Sequence, residues 1–187
     1  MREALEEAQA EARIVALDRE VFDHEDEIGY VVGMGPSHFM LLRISDGIHF
    51  DGFSIFRIDD VSQVEVPHEH EAFVEGALRL RGENVEAPPE IDLTDTASVL
   101  RSAGRLFGVV ALHTEERDAE VCQIGHIQSV SEGSFSLVEI DPDADWAEES
   151  LTLAVSDVTR VDVGGGYEEA LLLVGGPCSV PKLRSVD

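Results

Sequence analysis

His68-Glu69-His70 is the one place where two histidines stand close together in this chain. On an extended strand, residues i and i+2 share a face, so the two imidazoles could chelate a divalent ion. No HExxH arrangement accompanies them, and Pro67 and Glu71 on either side suggest an exposed polar loop. His68 and His70 are therefore the metal-ligand candidates, with a solvated loop as the expected setting and no cofactor expected. Asp141-Pro142-Asp143-Ala144-Asp145 superficially matches a calcium loop. An EF-hand needs Gly at loop position 6 and Glu at position 12. Trp146 and Thr152 occupy those places, so an acidic turn is expected. Gly164-Gly165-Gly166 lacks the Lys-Ser/Thr that completes a phosphate loop and reads instead as a joint before Tyr167. Cys122 and Cys178 form no CxxC pair, and Cys122 near His126 is a coincidence of spacing. No catalytic residue is assigned.

The balance of charge narrows the partners. Thirteen basic against 39 acidic residues give −26 at neutral pH over 187 residues. Such a surface repels phosphate backbones, so nucleic acid is not an expected partner. A hydrophobic fraction of 43% suits a globular chain with a real core. No apolar run approaches the ~18 residues of a membrane span. The N-terminus, acidic and alanine-rich, does not read as a signal peptide. A soluble cytoplasmic protein with two free thiols is the expectation, without a membrane partner.

The elements that must position these residues come twice. Ile28-Gly29-Tyr30-Val31-Val32 recurs as Ile124-Gly125-His126-Ile127-Gln128, 96 residues on. The same shift carries Phe39 onto Phe135, Leu41 onto Leu137 and Ile44 onto Ile140. With one residue inserted, Asp60-Val61 falls on Asp157-Val158 and Val64-Glu65-Val66 on Val161-Asp162-Val163. Val15-Ala16-Leu17 recurs in Val110-Ala111-Leu112. Repeats of this kind set the reading of the whole fold. Residues 2–12 are strong helix formers, and Thr94-Asp95-Thr96 is an N-cap cluster before a second helix. Short β-rich runs separated by turn signals follow each helix. Four segments result: 1–81, a first helix-plus-barrel repeat; 82–95, an acidic Pro-containing linker; 96–176, a second helix-plus-barrel repeat; 177–187, a tail.

One helix followed by about five short strands resembles the Sm-like variant of the SH3-like barrel. Gly29-x-Val31 and Gly125-x-Ile127, with Phe39-x-Leu41-x-x-Ile44 and Phe135-x-Leu137-x-x-Ile140, carry that resemblance. Sm-like proteins that bind RNA place Asp, then Met-Asn, after the Gly-x-Val pattern. Gly35 and Ser131 stand at the Asp position here, and Phe39 and Phe135 at the Asn position. The later Arg-Gly pair is also absent, with Arg57-Ile58 and Val155-Ser156 in its place. The stretch from Leu137 to Trp146 and from Asp157 to Leu171 is similar to the C-terminal part of a group of uncharacterised bacterial proteins. The resemblance implies a mainly β fold with short helices, built as tandem duplicated barrels in a bacterial protein.

Duplication without a catalytic set makes a non-enzymatic binding or assembly module the first functional expectation, acting through a protein partner or self-association. A small carboxylate and histidine hydrolase across the groove between repeats, with or without a metal, is the alternative. An Sm-like RNA-associated regulator is the third.

Overall fold

The computed structural model describes residues 1–19, 22, 27–85, 87–118 and 121–179. Most of the acidic turn expected before Ile28 lies outside these residues. So does the tail beyond 179, with the chain's one lysine, Lys182.

The expected mainly β fold with short helices is present. Helix α1 (Arg2–Glu11) precedes strands β1 (Ile14–Asp18), β2 (Glu27–Met34), β3 (His38–Ile44), β4 (Phe50–Arg57) and β5 (Gln63–Glu65). Helix α2 (Glu71–Arg81) closes this half. The second half runs α3 (Thr96–Leu106), β6 (Val110–His113), β7 (Cys122–Val130), β8 (Ser134–Glu139), β9 (Leu151–Ala154), β10 (Arg160–Val163) and α4 (Gly166–Gly175). A single-turn 3-10 helix precedes the last strand of each half, at Ile58–Asp60 and Val155–Asp157.

The ten strands among the described residues belong to one antiparallel sheet in the order β5-β1-β2-β3-β4-β10-β6-β7-β8-β9. The sheet runs through both halves and stays open, with β5 and β9 at its edges. The same order of ladders holds on either side of the β4–β10 pairing. Gly29 lies between Val15 and Arg43, and Gly125 between Val110 and Glu139. The ladder slips in the same place, between Val31 and Gly33 and between Ile127 and Ser129. A Cβ on Gly29 would lie 2.2 Å from the Leu42 carbonyl oxygen, and one on Gly125 2.2 Å from that of Val138. Backbone approaches that closely only where a side chain is missing.

The helices cap and cover the sheet. Asp95 accepts a hydrogen bond from the Ser98 amide at 2.8 Å, which fixes the start of α3. Val99, Leu100 and Ala103 of α3 then bury against Val110, Leu112, Phe135 and Leu137, and this core continues across the junction to Met40 and Ile55. Leu5 and Ala8 of α1 cover Val15, Phe39 and Phe56. The Pro-containing segment 82–95 lies down on the sheet at its end. Leu93 is buried against Gly33 and Gly35, and Ser37 donates to the Thr94 carbonyl at 2.8 Å. Among the described residues, no helix is long and apolar enough to cross a membrane.

Candidate functional site

Strand β10 is the fifth strand of the second half, as β5 is of the first, yet it lies mid-sheet between β4 and β6. Its alternation Arg-Val-Asp-Val sends Val161 and Val163 into the core and puts Arg160 and Asp162 together on the other face. Charges buried on a central strand need partners. Arg160 Nε donates to both oxygens of Asp162, at 2.8 and 3.0 Å, and Nη1 reaches Glu27. Asp162 Oδ2 also takes Arg43 Nη1 at 3.3 Å and lies 3.1 Å from His113 Nε2. Arg43 in turn donates to Asp51 at 2.6 Å, and Asp51 accepts the Gly166 amide at 2.9 Å.

The network spans both halves. Burial alone would push the Asp162 carboxyl up, but Arg160 and His113 outweigh it and hold it well below the usual carboxylate range. Burial likewise would lower Arg160, and Asp162 and Glu27 more than reverse this. The Asp162 carboxylate is thereby held in its ionised form, which suits cohesion better than proton transfer. Arg19 adds a second bridge, donating to Glu115 at 2.5 Å with both side chains buried. Thr159 donates to the other Glu115 oxygen at 2.5 Å. Phe56 ties the two systems together, since the Arg19 and Arg160 guanidinium carbons lie 4.8 and 5.2 Å from its ring centroid. Arg57 reaches Glu116 at 2.7 Å on the rim.

At the edges, β5 and β9 each lack a neighbouring strand on one side among the described residues. Gln63 and Glu65 on β5 are exposed, and Leu151 and Thr152 on β9 are exposed as well. Natural edges are usually guarded by Lys, Pro or a bulge. Strand β9 reads Leu-Thr-Leu-Ala and has none of these within it.

The metal-ligand candidates sit between β5 and α2, away from the junction. His68 and His70 stack edge to face with centroids 5.8 Å apart, and His68 Nδ1 accepts the His70 amide at 3.1 Å. Among the described residues, no group of three or more His, Cys, Asp or Glu is placed to hold a metal ion. In the acidic turn, one Asp141 oxygen accepts the amides of Asp143 and Asp145, at 2.9 and 3.0 Å. The glycine run turns β10 into α4, and its Gly166 amide is taken by Asp51. Cys122 pairs across the ladder with His113 rather than with His126; partial desolvation of this exposed residue, with Asp162 and Glu168 nearby, pushes its thiol up. A thiol held protonated is a poor nucleophile.

Sequence reasoning did not pick out Arg19, Glu115, Arg160 or Asp162. The signal was available: Arg19 and Glu115 are 96 residues apart, the repeat's own offset. No protein-family model, curated protein or solved structure matches this chain.

Proposed function

We propose that the chain is a tandem duplication of one small Sm-like barrel unit and serves as a non-enzymatic assembly module, joining edge to edge with further copies of itself. The β4–β10 junction is the observation that carries this reading. There a fourth strand of one half receives the fifth strand of the other, with Phe53 to Phe56 facing Val163 to Arg160. The remaining fourth strand, β9, and the remaining fifth strand, β5, are the two edges left over.

The junction supplies a register for that pairing. Phe56 faces Arg160, and the repeat relates these residues to Leu153 and Gln63. Carried over, it sets Leu153 opposite Gln63, Thr152 opposite Val64 and Leu151 opposite Glu65 of a second copy. A head-to-tail contact of this kind gives a ring where the rotation closes and a filament where it does not. At −26 each copy repels the next, so association strengthens as salt screens the charge. The same charge disfavours nucleic acid as the partner.

Sedimentation velocity over a concentration series in low and high salt tests this reading. Species larger than one chain, growing with concentration and with salt, are expected. Leu151→Lys with Thr152→Lys should return the protein to single chains while its circular dichroism is unchanged. A wild type that sediments as one chain throughout would overturn the proposal.

A further inference from the structure

The two halves differ most where the β2–β3 and β7–β8 ladders end. In the first half, Tyr30, Ile48 and Phe50 fill the hollow beside Ile28 and Ile44, with the Tyr30 and Phe50 rings 6.2 Å apart. The residues 96 positions on are His126, Ala144 and Trp146. Ala144 is far smaller than Ile48, though both hold a left-handed backbone, at φ 65° and 56°. His126 turns away, its Nδ1 lying 3.1 Å from the Gly108 carbonyl oxygen. A cleft opens at the equivalent place in each half, about 610 Å³ in the second against about 430 Å³ in the first.

Its lining is apolar and aromatic at the floor and acidic at the rim. Ile124, Ile140, Trp146 and Tyr167 form the walls, and Glu139 and Asp145 stand at the edge. Trp146 is fixed, its indole N–H donating to the Gly176 carbonyl at 3.1 Å. Tyr167 is 54% exposed. The rim charge is also inverted between the halves. Arg43, paired opposite Gly29, is consumed by Asp51 and Asp162. Glu139 takes its place opposite Gly125, and neither its carboxylate nor that of Asp145 has a partner among the described residues. Among the described residues, no arginine or lysine lines the cleft.

We infer that this cleft binds a small organic cation, an ammonium group carried on an apolar body. The size lies within the range of small-molecule sites, which pair apolar walls with a few placed polar groups. The apolar body packs on Ile124 and Ile140, the ammonium lies against the faces of Trp146 and Tyr167, and Glu139 and Asp145 supply the countercharge. The site is independent of the sheet edges, so it stands whether or not copies assemble.

Trp146 is the chain's sole tryptophan, and its fluorescence reports on the cleft directly. The probe is phenethylammonium, compared with neutral phenethyl alcohol and anionic phenylacetate. A saturable change in emission with the cation is expected, roughly tenfold weaker with the alcohol and absent with phenylacetate. The variant Glu139→Gln with Asp145→Asn should weaken the cation roughly fivefold, while Glu132→Gln on the distant β7–β8 turn leaves it unchanged. The inference is overturned by no saturable response from folded protein, by equal affinity for cation and alcohol, or by full affinity in the doubly neutralised variant. Tighter binding of a tri-lysine peptide than of the amine would also overturn it, by making the occupant a protein side chain.

Discussion

Arg19 and Glu115 meet at 2.5 Å in the interior of the protein, each following the first strand of its own half and each buried. The pair sits where the two halves abut, with Thr159 on its far side and the Phe56 ring beneath the guanidinium. Cohesion of the halves is thus ionic as well as backbone-paired.

Breaking one side of this bridge should be costly. Arg19→Met leaves the Glu115 charge buried without its cation, and a loss of about 3–5 kcal/mol is expected in urea unfolding. The double variant Arg19→Met with Glu115→Leu should lose clearly less than the sum of the two single changes. Additive losses would mean that the two charges are not coupled.

Asp162 gathers Arg160, Arg43 and His113, so Asp162→Asn should destabilise by a similar about 3–5 kcal/mol. Its carboxyl is held below the ordinary value in the folded state, so its contribution is present above the unfolded pKa. It is lost as pH falls below that value. The wild type should therefore weaken more steeply in acid than the Asn variant, as followed by urea midpoints from neutral pH downward.

His38 gives a second acid dependence of distinct range. Burial, with Arg57 nearby, pushes its imidazole down to about 4 from an ordinary 6.5. Ser37 Oγ donates to Thr94 and so accepts from His38 Nδ1–H at 2.9 Å; Nε2 then accepts from Thr96 at 3.2 Å. Between these two values the unfolded chain takes up a proton that the folded protein refuses, so stability falls as pH drops from about 6.5 to about 4. His38→Gln should flatten that part of the profile. Titration of the His38 ring by NMR should show it neutral at pH 5.5.

Gly29 and Gly125 occupy equivalent close approaches between neighbouring strands, so Gly29→Ala and Gly125→Ala should each cost at least about 2 kcal/mol in thermal or urea unfolding. A large cost at one site and none at the other would separate the two halves energetically.

Much of the scaffold was legible because it is written in hydrophobic spacing. The offset that aligns Ile28 with Ile124 also aligns the ladders in space, and the N-cap at Asp95 fell where its residue types put it. The joining of both halves into a single sheet was not legible. Strands β5 and β10 read alike as Val-acid-Val alternations, and only pairing decides that one is an edge and the other central. The charged residues were harder still. Among 39 acids, Glu115 and Asp162 carry no local mark separating them from solvated ones; apart from Arg160 beside Asp162, the partners that define their roles lie more than 40 positions away. His68 and His70, conspicuous by spacing, stand together without a third ligand among the described residues. The Trp146 cleft was hidden for a related reason, since its walls Ile124, Ile140, Trp146 and Tyr167 are spread over more than 40 positions.

Pairing of β9 with β5 of another copy is the central functional claim, and site-directed cross-linking tests it most directly. In a background with Cys122 and Cys178 changed to Ser, one population carries Leu151→Cys and the other Glu65→Cys. The junction's register places these two residues opposite each other, as it does Ser54 and Asp162. Mixing the populations under mild oxidation should give a covalent dimer in high yield, with little from either population alone and little when Glu65→Cys is replaced by the distant Glu132→Cys. Equal yields in all four mixtures, or no dimer in any, would contradict edge-to-edge assembly.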